Sequence, residues 1–361
     1  MTKVMCVGAF PPPVHGMAMV NAAVRDQLCG TGIDLQVIDL SAPNLERSLY
    51  ARLRRLPKVL LGLWYLMLIP QVNGCKLYMS VSGGFGQIYE LLFVSLARMR
   101  GMQVVLHHHS FAYLNARKLI AQALIISAGP SAVHIALSLR MAERLQTVYK
   151  TTQVISISNA AFLLSNETLQ IKPRLQPRTL GFISNITVEK GIPEFLNLMV
   201  AIQAKNLPLK AKIAGPFQDS QTESNVRTYL EILYNVEYVG PKYGADKDEF
   251  FAGIDILLFP TRYKNEAEPL IIHEAMSRGI PVVAYGRGCI PEIIEANCGL
   301  VVPPADDFVS AALAQICTWI DSPQTFQDTS IAAAERFEAL CAESLKSWEG
   351  LKTKMVQGDF S

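Results

Sequence analysis

Residues 255–284 read DILLFPTRYKNEAEPLIIHEAMSRGIPVVA, and this stretch decides the fold. The apolar run that ends at Phe259 predicts a buried strand, and a polar loop that carries Glu266 follows it. A helix that carries Glu274 is predicted next, because Gly279 is typical of a helix end and a proline precedes the following apolar run. Strand, helix and strand in this order indicate a parallel α/β sheet, with both glutamates towards its carboxyl edge.

The same alternation continues on both sides of this stretch. Strands are predicted at Val4–Val7, Leu35–Ile38, Leu77–Met79, Val104–Leu106, Ile135–Leu137, Val154–Ile157, Thr179–Ile183, Lys210–Ala214, Val236–Val239, Ile254–Phe259, Val282–Ala284 and Gly299–Val302. Helices are predicted at Gly16–Leu28, Gln87–Arg98, Leu139–Tyr149, Ile192–Ala204, Asn225–Leu233, Lys247–Ala252, Ile271–Arg278, Phe308–Asp321 and Ala332–Lys354. Short apolar strands separated by helices are typical of parallel sheets that are covered on both faces.

The length and one polar segment predict two domains. The chain has 361 residues, which is long for one domain, and half of its residues are apolar, which predicts well-filled cores. Residues 165–178 are polar and contain two prolines, so they are the predicted linker. We therefore expect domains at 1–170 and 171–337, followed by a final helical segment at 338–361. Two doubly wound domains leave a cleft between them, where ligands commonly bind.

Composition excludes several classes of protein. A net charge of +2 argues against a dedicated nucleic-acid binder, and the apolar content argues against a disordered chain. The seven cysteines are scattered without a Cys-x-x-Cys pair, which predicts a reducing cytoplasm and no thiolate zinc site. The N-terminus enters a strand-like run at once, which predicts no secretory signal. The longest apolar run, Val59–Ile69, has eleven residues and is too short to cross a bilayer.

The near-neutral total hides an uneven distribution of charge. Residues 1–170 hold 15 Lys and Arg against 7 Asp and Glu, whereas residues 171–361 hold 18 against 24. Basic residues concentrate just before the apolar run, at Arg47, Arg52, Arg54, Arg55 and Lys58. A cationic segment beside an apolar helix with aromatics predicts contact with an anionic membrane surface. The alternative is a helix whose apolar side chains are core and whose basic end is solvated.

The two glutamates have a chemical interpretation. Backbone amides at the predicted helix start, those of Leu270 and Ile271, point at any anion placed there and suit a diphosphate. Glu274, one turn into the helix, can accept hydrogen bonds from a ribose diol. Glu266, on the loop, can reach the hydroxyls of a sugar and face its reacting carbon. The alternative is that both acids only decorate a helix start, where acidic residues are favoured anyway.

At this point the sequence resembles a known family. Glu266-x7-Glu274 followed by Ala-Met-x-x-Gly-x-Pro-Val-Val-Ala resembles the E-x7-E signature of retaining glycosyltransferases of family 4, which have the GT-B fold. Further segments resemble the family at 136–145, 155–159, 254–261, 288–295 and 299–306. The resemblance implies two Rossmann-like doubly wound domains facing a central cleft. Residues 1–170 would bind the acceptor, residues 171–337 the nucleotide-sugar donor, and the helix in 338–361 would return to the first domain.

The resemblance assigns a diphosphate site after the first strand of the second domain. Lys190 and the glycine after it match the family pattern G-R-L-x-x-x-K-G, whose Arg and Lys neutralise charge on the leaving group. Ser184 stands where Gly is usual, and Asn185 stands where the Arg is usual, so the second positive charge is missing. Arg262 or Lys264, on the loop before Glu266, would have to compensate.

Two loops of the first domain are candidates for ligand contacts, one for the donor and one for the acceptor. Gly16 opens a helix after a proline-rich loop, which lacks the G-x-G-x-x-G of dinucleotide enzymes and resembles the family loop near the donor phosphates. Residues 82–86 either line the acceptor side or hold glycines for conformational reasons alone. The resemblance places a histidine against the donor sugar, and His109 fits best, with His107 and His108 as alternatives. A zinc site is not expected there, because no nearby acid or cysteine completes it.

We expect no metal and no other cofactor. Asp246 and Asp248 spell D-x-D but precede a helical pattern, so we interpret them as a helix cap. The prediction is a cytoplasmic, metal-independent retaining glycosyltransferase of hexosyl or N-acetylhexosaminyl type, peripheral at the inner face of the cytoplasmic membrane. It would act on a glycan or polyprenyl-linked acceptor in bacterial surface polysaccharide biosynthesis. The alternatives are a sugar-nucleotide epimerase of similar fold and a non-catalytic sugar-nucleotide-binding partner.

Overall fold

The structure is a computed structural model that describes residues 2–30, 32–42, 54–70, 72, 74–163 and 173–357. The chain divides into two compact units, one of Met1–Leu164 with Cys341–Ser361 and one of Ser165–Leu340. Arg47, Arg52 and residues 165–172 of the predicted linker lie outside the described residues.

The first unit is a six-stranded sheet in which every described strand pair is parallel. The strands are β1 Lys3–Gly8, β2 Asp34–Asp39, β3 Lys76–Val81, β4 Gln103–His108, β5 Val133–Ala136 and β6 Val154–Ser156. The sheet order is β2-β1-β3-β4-β5-β6, so the chain changes direction across the sheet between β1 and β3. The helices are α1 Gly16–Leu28, α2 Leu56–Leu68, α3 Gly86–Met99, α4 Ala112–Asn115, α5 Leu119–Ala128 and α6 Leu139–Tyr149, with a 3-10 helix at Asn159–Phe162.

The second unit repeats this architecture. Its strands are β7 Thr179–Ile183, β8 Lys210–Ala214, β9 Val236–Tyr238, β10 Ile256–Phe259, β11 Val282–Tyr285 and β12 Gly299–Val302. The order is β12-β11-β10-β7-β8-β9, again with parallel pairs, and the reversal falls between β7 and β10. The helices are α7 Ile192–Ala204, α8 Ser220–Ile232, α9 Ala245–Ala252, α10 Leu270–Met276, α11 Ile290–Ile293 and α12 Phe308–Asp321, with a 3-10 helix at Val188–Lys190.

The last helix, α13, runs from Pro323 to Gln357. Its C-terminal part packs on the first unit, where the Trp348 ring lies 5.3 Å from the ring of Phe162. The Ser344 hydroxyl accepts a hydrogen bond from the backbone N–H of Ser158 at 3.1 Å. Burial of the Trp348 side chain anchors this part of the helix to that unit.

The predicted α/β class and the two doubly wound sheets are confirmed. All twelve predicted strands are present, with ends that differ by no more than two residues. Their side chains are mostly buried because helices cover the sheets, which is why the strands were recognisable as apolar runs. Each reversal of strand order leaves a crevice at the carboxyl ends of two adjacent strands, where doubly wound sheets bind ligands.

Some helix boundaries in the sequence analysis were wrong. Helix α8 begins at Ser220, five residues before the predicted Asn225, because the Asp219 carboxylate caps it by accepting from the Thr222 N–H at 2.7 Å. Helix α13 begins at Pro323 and not at Ala332, since proline is tolerated in the first turn. Helices α4 and α5 were not predicted. No helix among the described residues is both long and apolar enough to cross a membrane.

Candidate functional site

Two loops of the second unit are joined at the place where the strand order of its sheet reverses, between β7 and β10. We call such a place the switch point of a sheet. One follows β7 and contains the 3-10 helix Val188–Lys190, and the other follows β10, the neighbouring strand. Gly191 has φ +88°, and a Cβ on it would lie 2.1 Å from the carbonyl oxygen of Pro260, so only glycine permits this approach. The N–H of Arg262 donates to the carbonyl of Glu189 at 2.8 Å. These contacts fix the two loops against each other.

An ion pair between Lys190 and Glu266 occupies this junction. Lys190 Nζ lies 2.6 Å from Glu266 Oε2, and the Thr261 hydroxyl donates to the same oxygen at 3.0 Å. The two side chains are only 19% and 10% exposed, so water screens their attraction weakly. Lys190 Nζ also lies 4.9 Å from the ring centroid of Tyr263. The predicted acid and the predicted phosphate-binding cation are therefore in direct contact.

Glu274 has a lysine partner that the sequence analysis did not identify. Lys247 Nζ on α9 lies 2.6 Å from the Glu274 carboxylate on α10. Asp248 on α9 pairs with Arg278, so two ion pairs tie α9 to the segment around α10. Lys247 is the residue between the two aspartates of the D-x-D string. The sequence analysis considered only the aspartates, so the pairing of Lys247 with Glu274 was not predicted. A ligand hydroxyl at Glu274 would share the carboxylate with this lysine.

The prediction that Asp246 and Asp248 cap a helix was wrong in detail. The N-cap of α9 is Gly244, which makes no side-chain cap bond, and both aspartates lie inside the first turn. Acidic residues there still interact favourably with the helix dipole. Among the residues that the structure describes, no group of three His, Cys, Asp or Glu side chains is placed to hold a metal ion.

The third acid of the motif region is structural. The Glu268 carboxylate lies 3.0 Å from Nε2 of His273, and both side chains are almost fully buried. The pair links the loop after β10 to α10, which begins at Leu270 with Pro269 as its N-cap. The predicted helix start at Ile271 is therefore one residue late, and Leu270 and Ile271 form the first turn.

Arg262 does not compensate for the missing charge at Asn185. Its Nε lies 2.7 Å from Glu194 Oε1, and its guanidinium stacks 4.5 Å from the ring centroid of Tyr285 and donates to the hydroxyl. Burial lowers the pKa of Arg262, but the hydrogen bond that Arg262 donates to Glu194 leads the effects that raise it, and the net shift is upward. The Asn185 side chain is half-buried after β7.

A different arginine reaches this junction from the loop after β11. Arg287 Nη2 lies 3.5 Å from the carbonyl of Tyr263, and no carboxylate lies within ion-pair distance of Arg287 in the described part of the chain. Gly288 has φ +55°, and a Cβ there would lie 2.7 Å from the carbonyl of Glu266. The Arg287 loop is thus packed against the Glu266 backbone. Arg287 was not predicted as a site residue, although glycines flank it directly after a buried strand.

In the first unit, Gly16 is the first residue of α1 and is exposed. A Cβ on Gly16 would meet no atom within 4 Å, so open space lies beside it. The N-cap is His15, whose Nδ1 accepts from the Ala18 N–H at 3.3 Å.

The three consecutive histidines differ in their contacts and in their exposure to solvent. His107 contacts the Tyr78 hydroxyl, and His108 contacts the Tyr113 hydroxyl at 2.7 Å and Nδ1 of His134 at 3.0 Å. His107 and His108 are fully buried, whereas His109 lies just past the end of β4 and is partly exposed. Nε2 of His109 has no hydrogen-bond partner.

Burial, followed by the charge of His15, lowers the pKa of His109 to about 3, so this imidazole is neutral near pH 7. Nε2 of His107 also has no hydrogen-bond partner, but His107 is fully buried, so His109 is the one of the three that is partly exposed. A neutral ring can exchange hydrogen bonds with a sugar hydroxyl but carries no charge.

The basic segment is only partly directed at solvent. Lys58 pairs with Asp39 at 2.9 Å, and Arg55 donates two hydrogen bonds to the carbonyl of Leu40. Arg54 is exposed. Helix α2 is apolar on its outer side as well, with large side chains that are 52–65% exposed at Leu60, Leu61, Trp64, Met67 and Leu68.

The candidate site lies within a segment that resembles a known protein family. Residues 166–336 match the family described as glycosyl transferases group 1, and this segment holds the Lys190–Glu266 junction, Glu274 and Arg287. The match covers most of the second unit and leaves the whole of the first unit outside it.

Curated relatives are similar over part of the chain. A sulfoquinovosyl transferase of Arabidopsis thaliana is 28% identical over 182 residues, which are 47% of this chain and 32% of that protein. An uncharacterized glycosyltransferase of Haemophilus influenzae is 26% identical over 148 residues, which are 41% of this chain and 39% of that protein. The matches thus span less than half the length of either relative.

Solved structures are similar over nearly the whole chain. The Anabaena protein HepE, solved in complex with UDP-glucose, superposes with a TM-score of 0.71 at 14% identity and covers 98% of this chain and 100% of that one. A sucrose-phosphate synthase from Thermosynechococcus elongatus gives 0.69 at 16% identity, covering 99% and 98%. These neighbours establish the GT-B fold predicted from the sequence.

Proposed function

We propose that the protein transfers a sugar from a nucleotide-sugar donor to a glycan or polyprenyl-linked acceptor, in the assembly of a surface polysaccharide. The observation that carries this proposal is the 2.6 Å Lys190–Glu266 ion pair at the sheet switch point. It joins an acid suited to a reacting sugar with a cation suited to a leaving diphosphate. The group 1 match over residues 166–336 supports it, and so does the HepE complex with UDP-glucose.

The residue roles follow from charge and position. A donor diphosphate draws the Lys190 ammonium away from Glu266, which frees the carboxylate to position the sugar and support charge at its anomeric carbon. Glu274 accepts from the ribose diol after sharing or displacing Lys247. The first-turn amides of Leu270 and Ile271, together with Gly16, contact the phosphates, and His109 contacts a sugar hydroxyl.

We infer retention of configuration from the E-x7-E spacing of Glu266 and Glu274. When the leaving phosphate and the incoming hydroxyl share one face of the sugar, the phosphate itself accepts the proton, and no separate strong base is needed. We also propose that no metal takes part, because side-chain cations balance the diphosphate.

The second cation in this proposal is Arg287. Asn185 donates hydrogen bonds but carries no charge, and Arg262 is engaged by Glu194 and Tyr285. Arg287 has no carboxylate within ion-pair distance among the described residues, and its loop lies against the Glu266 backbone. An arginine fork binds phosphate in two places, so one such residue suffices for the missing charge.

The test begins with the donor. We expect one of the UDP-, GDP- and ADP-sugars to raise the melting temperature of the whole chain, and the same sugar to be transferred in the presence of EDTA. The Glu274→Gln variant should lose about tenfold in nucleotide affinity, because it loses a charged hydrogen-bond acceptor. Glu223→Gln, which removes an exposed acid of the same unit, should bind as the native protein does.

The other two functions give different results in the same assays. An epimerase would isomerise the donor sugar with no acceptor present. A non-catalytic partner would bind a nucleotide-sugar and leave it unchanged in every acceptor mixture. An inverted anomeric configuration in the product would contradict retention alone.

We further propose that α2 attaches the protein to the cytoplasmic face of an anionic membrane. The exposed apolar side of α2 supports this, although the ion pair of Lys58 with Asp39 leaves less free charge than the sequence suggested. Trp64→Ser should reduce co-sedimentation with anionic liposomes severalfold, whereas Ile232→Ser, an exposed apolar residue of the second unit, should not. Equal sedimentation of Trp64→Ser and the native protein would contradict the attachment.

A further inference from the structure

The first unit contains a cavity of about 210 Å³ at the switch point of its own sheet. It is lined by Gly8 at the end of β1, by Leu40 and Ser82 just after β2 and β3, and by the first two turns of α3. All of them belong to the first unit. The volume far exceeds the roughly 10–15 Å³ that one water needs. The cavity has the position at which doubly wound sheets bind ligands, and it has room for a small polar group.

A buried acid with an unused oxygen faces this cavity. Glu90 lines it and is 6% exposed. Its Oε1 accepts hydrogen bonds from the Ser82 N–H at 3.0 Å and from the Ser82 hydroxyl. Its Oε2 is buried and has no hydrogen-bond partner. A buried polar atom without a partner is unfavourable unless a ligand supplies the bond, so Oε2 points to a ligand that has a hydroxyl.

The cavity also holds a cation. Arg55 lines it, and its Nε and Nη2 donate to the Leu40 carbonyl at 3.0 and 2.7 Å. No carboxylate of the described residues lies within ion-pair distance of Arg55. Burial lowers the pKa of Arg55, and the charge of Glu90 is the largest effect that opposes this. A guanidinium stays charged at neutral pH even with a lowered pKa, and Nη1 of Arg55 makes no hydrogen bond to another described residue, so it can meet an anion.

A third group that lines the cavity, His15, is an uncharged hydrogen-bond donor. Nδ1 of His15 accepts from the Ala18 N–H, which leaves the ring proton on Nε2. Burial, followed by the charge of Arg55, lowers the pKa of His15, so the ring is uncharged near pH 7. Tyr89 lines the same space. Hydroxyl-binding groups thus surround one cation, a combination that recognises a hydroxylated anion.

We propose that this cavity binds the phosphate-bearing, hydroxylated head of the acceptor, with Glu90 Oε2 on a hydroxyl and Arg55 on the phosphate. That the bound molecule is the acceptor of a sugar transfer rests on the function proposed above. That it carries hydroxyl and phosphate groups is argued from Glu90, Arg55 and His15 alone. A soluble sugar phosphate and a sugar on a polyprenyl diphosphate present the same chemistry, and the experiment distinguishes the two sources.

The experiment is calorimetric titration of the full chain with four probes. They are glucose 1-phosphate, glucose, inorganic phosphate and glucose linked to farnesyl diphosphate. We expect a phosphorylated sugar to bind at least tenfold more tightly than glucose or phosphate alone, since each of these lacks one partner. Tighter binding of glucose 1-phosphate indicates a soluble acceptor, and tighter binding of the farnesyl compound indicates a lipid-linked one.

Variants of the cavity residues test whether the probes bind in this cavity. Glu90→Gln keeps the shape of the side chain and the Ser82 contacts but turns Oε2 into a donor. The titrations are made at pH 8, above the pKa of about 7 to which burial raises Glu90, and there the variant should weaken binding about tenfold. Arg55→Met should weaken phosphorylated probes and leave glucose unchanged. Glu143→Gln, an exposed acid of the same unit, is the control. Circular dichroism checks that each variant is folded, and Arg55→Lys replaces Arg55→Met if it is not.

Two outcomes overturn the proposal. In one, no phosphorylated sugar binds the native chain. In the other, folded Glu90→Gln and Arg55 variants bind within twofold of the native protein. Nucleotide-sugar binding is measured in parallel: if it persists while the probes fail, the cavity assignment falls and the donor site stands. If the probes bind and no nucleotide-sugar does, the transferase function falls and the cavity remains a sugar-phosphate site.

Discussion

Glu266 and Glu90 are acids at equivalent places in the two sheets, and their surroundings are opposite. Glu266 lies where β10 meets β7 and is paired with Lys190 at 2.6 Å. Glu90 lies where β3 meets β1, it has no cation within ion-pair distance among the described residues, and one oxygen is unpaired. In the proposed function a donor diphosphate takes Lys190 away from Glu266, whereas the burial of Glu90 favours the uncharged form of that acid. The same fold thus places an acid paired with a cation at one switch point and an acid with an unpaired oxygen at the other.

The largest effect is expected when Lys190, the partner of Glu266, is replaced. Lys190→Met should lower kcat/KM for transfer by about 10²–10³, because the leaving diphosphate loses its nearest positive charge. Steady-state kinetics with the donor found in the thermal screen measures this. Lys205→Met on the same unit is the control, and a loss below threefold for Lys190→Met would break the contrast between the two acids.

Next in size is the effect of pH on the first unit. Burial raises the pKa of Glu90 to about 7, while Ser82 hydrogen bonds and the charge of Arg55 oppose the shift. The folded state therefore holds a proton that the unfolded chain releases near pH 4.5, and stability falls as pH rises between these values. The loss attributable to Glu90 is about 3 kcal/mol.

Chemical denaturation at pH 5 and pH 8 tests this difference. Glu90→Gln cannot titrate and should lose about 3 kcal/mol less stability over this range than the native protein. His15, which also faces the cavity, is already neutral over most of the range because its pKa is lowered. Tyr89 and Tyr113, the other titratable neighbours, are present in both proteins and cancel in the comparison. Identical pH profiles for the two proteins would show that Glu90 is ionised in the folded state.

A smaller effect is expected at Arg287. Arg287→Met should raise the KM for the donor about tenfold with little change in kcat, since a phosphate contact outside the reacting bond is lost. Asn185→Arg, which restores the charge that the family pattern has, should recover part of the loss in the double variant. A KM unchanged by Arg287→Met would leave the second charge unassigned.

The smallest effect concerns Lys247. Because this lysine occupies the Glu274 carboxylate, Lys247→Met should raise nucleotide affinity a few-fold if the ribose diol competes for it. A matched change at Lys242 should have no effect. Weaker nucleotide binding in Lys247→Met would mean that Lys247 itself contacts the ligand.

Much of the fold and part of the site were predictable because their signals are local. The buried strands are apolar runs, and the spacing of Glu266 and Glu274 is visible in the chain. Lys190 was recognised from its neighbours, but its contact with Glu266 joins positions 76 residues apart and needs the sheet order. Arg262 illustrates the limit: its place before Glu266 suggested phosphate binding, while Glu194, on another helix, decides its partner.

Glu90 was not predicted for a related reason. In sequence it is one acid on an amphipathic helix, which normally indicates a solvated side chain. Its burial depends on β1, β2 and the loop at Ser82, which come together only in the folded sheet. The three histidines were also ambiguous in sequence, because Tyr78, Tyr113 and His134, which engage His107 and His108, come from other elements.

The central claim is that Glu266 acts on the reacting sugar while neighbouring groups hold the nucleotide. The most direct measurement is kcat for transfer together with the Kd of the nucleotide for Glu266→Gln, an isosteric variant without the charge. We predict that kcat falls by about 10² or more while the nucleotide Kd stays within about threefold. Unchanged kcat, or a loss explained entirely by weaker nucleotide binding, would contradict the account.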